Sequence, residues 1–509
     1  MIDCAAMTDA ALKHHCEWRT EVAIRDAAIA ALSAEKVELA AKTDSLTAEK
    51  AALTEEVDAL KRRLYGKKSE KMPRPEDDLR KRGLLLPPDP EKLKQKRADG
   101  RKWKEDLDVI DIVQPLPTEL PTCEVCQTQP HRKLPAKVSY SVELVPSRVV
   151  RHRHVQPQLG CACGSCIVTA PPPPRVGEKV QYGPKLAASL IAAKCMDAVA
   201  IERYAKQLKR MGVPISANTL FDLFHGAARQ LVRLYELLVG QVRTHDLVLA
   251  DETRIEVLEK PKTRRAWMWV FLAGDLVVYV FSPSRSGQTP VDVLGASQGT
   301  LVVDAYTGYN QVTTPEGRER AGCMAHGRRG LFDVRKDVPD MQVGLDHILD
   351  VYKVEHKAKA AGIVGLPAHA ELRRTESKAA MDSLHTWLVK QQAALLPASQ
   401  AGKAVAYMLN QWQHLCVFLG NPKVPVDNNK SERGLRIVAR GRDAFLFVGN
   451  DDCGKNLAML MTLVHTAAAC GKNPEHYLAD VLVRILDHPV TRLDELLPQN
   501  WVPPTAASG

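Results

Sequence analysis

The chain of 509 residues contains no long run of apolar side chains. No stretch approaches the roughly 18 consecutive apolar residues that mark a transmembrane helix. Residues 1–20 mix histidine and charged side chains, so they lack the apolar block of a secretory signal. These two absences exclude a protein with membrane-spanning helices and predict a cytoplasmic location.

Cysteine is scarce along most of the chain, but five of the twelve lie between Cys123 and Cys166. In a cytoplasmic protein, such a cluster favours metal binding over disulfides. Tetrahedral Zn²⁺ needs four ligands, which two closely spaced cysteine pairs can supply. The spacing predicts a structural zinc site formed by Cys123, Cys126, Cys163 and Cys166, with Cys161 an equally reachable alternative. Alternating valines predict a β-ribbon over residues 137–154, between the two cysteine groups.

Lys and Arg total 70 against 60 Asp and Glu, which gives a net charge of +10. This excess favours a polyanionic partner but is also typical of an ordinary soluble protein. Residues 66–106 are basic, contain prolines and have few periodic apolar positions, so they predict a linker. A solvated charge run explains this segment better than phosphate contacts do.

The first 65 residues carry a heptad pattern. Apolar residues every seven positions, with others on the partner seam, are typical of a leucine zipper. Lysine and threonine interrupt the seam, which weakens the core but can fix the register of the strands. The alternative is a single amphipathic helix that packs on its own protein. The leucines are Leu32, Leu39, Leu46, Leu53 and Leu60, and the partner positions include Ile29, Val57 and Leu64.

Helical periodicity begins after the proline run at residues 171–174. It predicts helices over 182–198 and 201–211, and a third that begins at the N-cap Ser216. Helix, short glycine turn and helix is the spacing of a helix-turn-helix. Lys206, Lys209 and Arg210 on the second helix are therefore candidate DNA contacts, although hairpins that only pack are also common.

Three carboxylates stand in positions that core packing does not require. Asp251 closes the apolar run 247–250, Asp304 closes the β-branched run 299–303, and Glu432 lies where a helix begins. Buried strands need no carboxylate, so these acids are candidates for chemistry. If they converge, they can hold two divalent metal ions, for which carboxylate oxygens are suitable ligands.

The region around these acids has a mixed α/β pattern. Residues 265–272 and 275–282 alternate like antiparallel strands, a helix is predicted from about Thr289, and the next strand ends at Asp304. Before Glu432 come further helical segments, which we interpret as an all-helical insertion at about 335–420. Those segments are 341–359, 373–394 and 403–418, and two more helices follow Glu432 at 456–469 and 474–486.

Four motifs follow one another in a fixed order: Ala250-Asp251-Glu252-Thr253, residues 303–310, residues 322–329, and Asp427-Asn428-Asn429 with Glu432-Arg433. With them the chain resembles the TnpC-type transposases of insertion-sequence family sixty-six, which are DDE transposases. The resemblance runs from Leu64 to Trp501, and several separate motifs in the right order make it specific.

This resemblance implies an RNase H-like core in which Asp251, Asp304 and Glu432 bind two Mg²⁺ ions. It implies hydrolysis that frees a 3′-OH at each end of the element, and attack of that hydroxyl on target DNA, without a covalent protein–DNA intermediate. A zinc-finger-like module is usual in this family before the core. The implied partners are double-stranded DNA, further copies of the chain in at least a dimer, and accessory proteins of the same element.

The motif at 322–329 resembles the family pattern Cys-x-Ala-His-x-Arg-Arg, so His326, Arg328 and Arg329 are expected to bind DNA near the site. The family more often has an aromatic residue where this chain has Met324. Arg433 and Arg436 are further candidates, because each can orient Glu432 or contact phosphate.

Two neighbouring acids compete with the proposed triad. Glu252 follows Asp251 directly, so on a strand it points to the opposite face and is expected to be a surface or hydrogen-bonding group. Asp427 lies five residues before Glu432, off the helix face that i, i+4 spacing would share, and can instead cap the helix together with Asn428.

The sequence thus predicts a multidomain α/β and α protein. Its functional alternatives are a non-catalytic DNA-binding regulator and an RNase H-like nuclease that cuts without joining. The expected domains are a coiled coil at 1–65, a linker at 66–106, a zinc module at 107–174, a helix-turn-helix-like region at 175–244, the catalytic core with its insertion at 245–450, and a helical C-terminal part at 451–509.

Deletion of residues 1–64 tests the zipper. We expect the deleted protein to have about half the particle mass of the full chain in solution, because the heptad seam would no longer pair two protomers. Light scattering coupled to size exclusion measures this mass. An unchanged number of protomers per particle would contradict the zipper.

Overall fold

The computed structural model describes residues 22–29, 42, 149–150, 153, 155–160, 167–169 and 182–503. The chain divides into two compact units, Met1–Pro73 and Arg74–Gly509. In the first unit, residues 22–29 are helical, within the predicted coiled coil. Its heptads from Leu32 onward, the basic linker and all five clustered cysteines lie outside the described residues.

Two short strands flank the second cysteine group. β1 (Gln158–Gly160) pairs antiparallel with β2 (Ile167–Thr169), with Gln158 opposite Thr169. Most of the ribbon predicted at 137–154 lies outside the described residues, and its described positions, 149, 150 and 153, are not in strands.

The central sheet of the second unit has five strands in the order β5-β4-β3-β6-β7. β3, β4 and β5 form an antiparallel meander, whereas β6 is parallel to β3 and β7 is parallel to β6. The strands are β3 (Leu247–Glu259), β4 (Lys262–Ala273), β5 (Leu276–Ser282), β6 (Thr300–Val302) and β7 (Glu319–Ala321).

Helices surround this sheet. Most helical segments predicted from the sequence are confirmed with shifted ends, but the segment predicted over 403–418 is two helices separated at Gln411. A π-turn at Arg373–Ser377 joins α7 to α8, and short 3₁₀ turns lie at Thr307–Val312 and Val490–Leu496. The helices are α1 (Pro184–Cys195), α2 (Ile201–Arg210), α3 (Ala217–Val242), α4 (Gln288–Leu294), α5 (Met324–Val334), α6 (Met341–Ala360), α7 (Pro367–Leu372), α8 (Lys378–Ala394), α9 (Gln400–Asn410), α10 (Trp412–Gly420), α11 (Asn429–Phe445), α12 (Asp451–Ala469) and α13 (Pro474–Arg484). Within the described part of the chain, no helix has the length and apolarity to cross a membrane.

Strand β3 corrects one expectation, because it does not end at Asp251. It continues to Glu259, since alternating buried residues such as Ile255 and Val257 pair the whole strand with β4. The parallel pairing with β6, in contrast, stops at Leu249 opposite Val302. Asp251 therefore lies just past the end of β6 and not past the end of its own strand.

The outer edge of the sheet is closed by helix α12. The backbone N–H groups of Val277 and Tyr279 on β5 donate to the hydroxyls of Thr466 (3.1 Å) and Thr462 (2.8 Å). These contacts satisfy edge groups that would otherwise be free to pair with another chain. The C-terminal helices thus belong to the same packed body as the sheet.

Helices α1 to α3 lie where the sequence predicted helices from residue 182 onward. The hydroxyl of Ser216 accepts from the N–H of Thr219 and caps α3, as expected. α3 extends to Val242, well beyond the predicted apolar positions, and Tyr235 on it donates to the carbonyl of Tyr279 on β5.

Arg373 is the main polar group inside the helical insertion, and its side chain is only 1% exposed. It donates two hydrogen bonds to the carboxylate of Glu355, each 2.7 Å long. Its Nη1 donates to the carbonyls of Phe418, Asn421 and Val424. One buried guanidinium therefore fixes the end of α10 and the segment that leads into α11.

Arg373→Ala is expected to lower the free energy of unfolding by about 3–5 kcal/mol, because it leaves three carbonyls and a carboxylate without their partner. Urea unfolding followed by circular dichroism measures the change. Arg374→Ala is the matched control, since the neighbouring Arg374 is 72% exposed and pairs only with the exposed Glu371. Equal effects of the two substitutions would contradict the role of Arg373.

Candidate active site

Asp251 belongs to a row of paired residues on the face of the sheet that helix α11 covers. It stands opposite Val270 on β4, which stands opposite Tyr279 on β5, and partners in register point to the same face. The hydroxyl of Tyr279 donates to the carbonyl of Gly434 (2.8 Å), and a Cβ built on Gly434 would lie 3.6 Å from Val270 Cγ2. α11 therefore crosses this face, with Glu432 one half-turn before the crossing.

Asn428 anchors the start of α11 to the strand that carries Asp251. Its Nδ2 donates to the carbonyl of Ala250 at 2.7 Å, and the residue is 1% exposed. The hydroxyl of Ser431 donates back to the carbonyl of Asn428 at 2.9 Å. Because Ala250 precedes Asp251, this contact places the first turn of α11, which includes Glu432, beside Asp251.

The far end of α11 is tied to the same strand. Arg442 Nη1 donates to the carbonyl of Arg254 at 2.7 Å. Beyond the helix, Val448 forms a parallel bridge with Val257: Leu258 N–H donates to Val448, and Val448 N–H donates to Glu256. Contacts at both ends thus hold α11 along the part of β3 that β6 does not cover.

Asp304 lies in the turn after β6, and its Oδ1 accepts from the N–H of Tyr306 at 2.9 Å. Arg320 on the neighbouring strand β7 is buried below this turn. It donates to the carbonyls of Asp304 and Tyr306 and to the side chain of Asn310. The turn that presents Asp304 is therefore fixed by one arginine.

The charges of the other two predicted acids act on Asp251. Burial raises the pKa of Asp251 to about 7, and the charges of Glu252, Asp304 and Glu432 add to this shift. The N–H of Glu252 donates to Asp251 Oδ1 at 2.9 Å and opposes it. Asp251 thus interacts with both Asp304 and Glu432, although strand, turn and helix come from distant parts of the chain.

The rival acid Glu252 is on the opposite face, as predicted, and of the two predicted roles it has the hydrogen-bonding one, because its side chain is buried. It stands opposite Trp269, and its side chain is 1% exposed. Its carboxylate accepts from Arg285 Nε (2.9 Å) and Nη2 (2.6 Å) and from the hydroxyl of Tyr309 (2.6 Å). Burial raises the pKa of Glu252, and these hydrogen bonds oppose the shift.

The N-terminus of α5 brings a further group of metal-ligating atoms to Glu432. One ligand atom each from Cys323, His326 and Glu432 lie within 4.8 Å of one another. His326 Nδ1 and Glu432 Oε1 are 3.8 Å apart, and each is buried without a hydrogen-bond partner. This set can hold a divalent cation, although burial raises the pKa of the Cys323 thiol to about 12.

The predicted basic residues are distributed over three helices. Arg329 Nη2 lies 3.8 Å from Glu432 Oε2, whereas Arg328 lies over the ring of Phe332 at 5.3 Å. The side chains of Arg433 and Arg436 are exposed on α11. Lys206, Lys209 and Arg210 are exposed on α2, which packs on α1 and α3.

Asp427 has the capping role predicted for it. Its Oδ1 accepts from the N–H of Asn429 at 3.1 Å, and its Oδ2 accepts from the hydroxyl of Tyr352 at 2.7 Å. The side chain of Asn428 does not cap the helix, because it is used on β3.

Several residues of the site were not predicted. The resemblance placed His326 near the site, but no signal in the sequence indicated that Cys323 joins His326 and Glu432 in one group of ligand atoms. The sequence predicted Asn428 only as a residue at the start of a helix. It did not predict that Arg285 and Tyr309 contact Glu252.

Asp251→Asn is expected to stabilise the metal-free protein by up to about 3 kcal/mol at pH 8, because the ionised acid is disfavoured in the folded state. The gain shrinks as the pH falls below 7 and disappears below about pH 3, where the carboxyl is protonated in both states. Thermal unfolding without divalent metal measures this. The exposed Asp275→Asn is the control, and equal midpoints for Asp251→Asn and wild type at pH 8 would contradict the expectation.

Comparison with known proteins gives relatives over most of the chain. It is 28% identical over 443 residues to the uncharacterized protein y4hP of Sinorhizobium fredii (strain NBRC 101917 / NGR234), covering 81% of this chain and 79% of the relative. It is 29% identical over 412 residues to the uncharacterized protein y4jD of the same organism, covering 77% of this chain and 79% of the relative.

Two family models match the chain itself. Residues 179–456, which include the sheet, the insertion and all three acids, match the model described as Transposase IS66 family. Residues 462–499 match the IS66 C-terminal element, which covers the C-terminal part of α12 and all of α13. The first match alone covers more than half of the sequence, and so the chain belongs to the IS66 family of transposases.

Proposed function

We propose that this protein binds the ends of its insertion sequence and cuts the DNA with a catalytic site formed by Asp251, Asp304 and Glu432. It then joins the freed 3′-OH ends to target DNA. The observation that carries the proposal is that Asp251 faces helix α11, which carries Glu432 and is hydrogen-bonded through Asn428 to the carbonyl before Asp251. The charges of Asp304 and Glu432 also raise the pKa of Asp251. Family membership supplies the reaction class, since the matching model is that of a transposase.

The topology supports an RNase H-like core. Numbered along the sheet, the strands run third, second, first, fourth, fifth, and the last two are parallel to the first. The acids lie on the first strand, after the fourth strand and on helix α11, as the resemblance implies. We propose that residues 245–450 form this catalytic core, with α6 to α10 as its helical insertion.

The residues present fit divalent metal ions. Glu432 Oε1 is buried without a protein partner, and Asp251 lies among like charges that a cation would neutralise. Asp251, Asp304 and Glu432 would hold Mg²⁺, whose preferred ligands are oxygens. Two such ions would stabilise charge on the attacking and leaving oxygens of the phosphodiester.

Other side chains of the site are suited to holding the DNA. Arg329 and His326 lie beside Glu432, so they can contact a phosphate that approaches the acids. Arg433 and Arg436 continue a basic surface along α11, and each can bind the backbone without reading sequence. Lys206, Lys209, Arg210 and Arg328 are further candidates for phosphate contacts.

The N-terminal modules complete the proposal. We propose that the zipper at 1–65 pairs protomers so that two DNA ends are held together, and that Zn²⁺ bound by Cys123, Cys126, Cys163 and Cys166, or with Cys161 in the second group, orders a DNA-binding module. Residues 175–244 would add a helix-turn-helix contact to the same DNA.

Glu432→Gln, Asp251→Asn and Asp304→Asn should each reduce nicking and joining at least about 100-fold, because each removes a direct metal ligand. The assay incubates the protein with Mg²⁺ and a DNA fragment that carries the ends flanking its own gene, and maps products on a gel. DNA binding, measured separately, should be retained.

Glu316→Gln and Asp275→Asn are matched controls, since both acids are exposed. Cleavage without joined products would favour a nuclease that does not transfer strands. Binding without either product, unchanged by Glu432→Gln and by added accessory proteins of the element, would favour a DNA-binding regulator.

A further inference from the structure

Arg285, in the loop between β5 and α4, is held more rigidly than an exposed arginine usually is. Its Nε and Nη2 both donate to Glu252 Oε1, and the hydroxyl of Tyr306 donates to its backbone carbonyl. The guanidinium lies 4.0 Å from the ring centroid of Tyr306 and 4.9 Å from that of Trp267. Both its backbone and its side chain are therefore fixed.

The guanidinium keeps donors for a ligand. An arginine has five N–H groups, and the contacts to Glu252 use two of them. Among the described residues, Nη1 has no recorded acceptor, while the side chain is 40% exposed. A rigid, half-exposed fork of this kind suits bidentate binding of phosphate oxygens.

Its location places this fork beside the acids. Tyr309, which shares Glu252 with Arg285, packs edge-on against Trp269 at 5.7 Å, on the sheet face opposite α11. The guanidinium of Arg285 lies 4.0 Å from the ring centroid of Tyr306, and the N–H of Tyr306 donates to Asp304 Oδ1 at 2.9 Å. Arg285 therefore lies near Asp304, on the side away from Glu432.

A structural role alone does not explain this geometry. A buried carboxylate needs compensation, yet an ion pair that serves only stability can often be replaced by apolar residues at no cost. Here Tyr309 and Arg285 satisfy Glu252, while the side chain of Arg285 stays 40% exposed and lies near Asp304. The arrangement presents a positive group where a negatively charged strand would enter.

We propose that Arg285 binds a backbone phosphate of the DNA close to the bond that is cut, and that Glu252 and Tyr309 are positioning residues that orient its guanidinium. The inference rests on the proposed function, because the ligand is the DNA that Asp251, Asp304 and Glu432 cut.

The test is binding to end DNA in which single phosphates near the cut are replaced, one at a time, by neutral methylphosphonates. Dissociation constants are measured without divalent metal, so no cleavage is needed. We expect one position at which neutralisation weakens wild-type binding about tenfold or more. The Arg285→Gln variant should bind DNA neutralised at that position as tightly as it binds unmodified DNA.

Arg374→Gln is the matched control, because Arg374 is an exposed arginine of the helical insertion. It should keep the full sensitivity of the wild type at every position. Arg285→Lys should keep part of the sensitivity, since it keeps the charge but loses the fork.

The double variant Glu252→Gln with Arg285→Gln separates binding from stability, because it removes both charges of the buried pair. It should unfold at a temperature close to that of the wild type. Its affinity for DNA should also be unchanged by the methylphosphonate at the position where neutralisation weakens wild-type binding. Wild-type sensitivity in this folded double variant would show that Arg285 only balances Glu252, and would overturn the inference.

A failure of the proposed function and a failure of this inference alone give different experimental results. Wild-type protein that binds no end DNA would overturn the proposed function and this inference with it. Wild-type cleavage and joining, combined with identical methylphosphonate profiles for wild type and Arg285→Gln, would overturn the inference alone.

Discussion

The contact between the Asn428 amide and the Ala250 carbonyl is the constraint on which the site depends. Strand β6 is short, so β3 loses its parallel partner after Leu249 and leaves an edge that something must cover. Asn428 covers the first free carbonyl, and Arg442 and Val448 cover the rest. Helix α11 is thereby held along the strand that carries Asp251. These contacts position Glu432 although they do not involve its own side chain.

The same construction concentrates negative charge in a buried place. Burial and three neighbouring carboxylates disfavour the ionised form of Asp251 and raise its pKa. A core selected for stability alone would have an amide or an apolar residue there. The structure tolerates the acids because Arg320, Arg373 and Asn428 fix the turns and segments around them with hydrogen bonds to the backbone. Stability of the scaffold thus offsets strain at the site.

Local patterns predicted the elements well, and contacts between distant segments poorly. Periodicity located the β3 to β5 meander, and the Ser216 cap located α3, because those signals are contained in a few neighbouring residues. The end of β3 was placed too early, since the loss of pairing at Leu249 belongs to β6 and not to β3 itself. The contact of Asn428 with Ala250 and the approach of Cys323 to Glu432 join segments more than a hundred residues apart, and no local signal encodes them.

The adjacent pair Asp251 and Glu252 shows how one strand can serve two faces. Successive side chains of a strand point to opposite sides, so Asp251 meets α11 while Glu252 meets Tyr309 and Arg285. Asp304, at the end of the neighbouring strand, carries charge that acts on Asp251 and on Arg285. A shift of β3 by one residue would exchange the two acids and break both networks at once. The long pairing of β3 with β4 therefore fixes which carboxylate faces which partner.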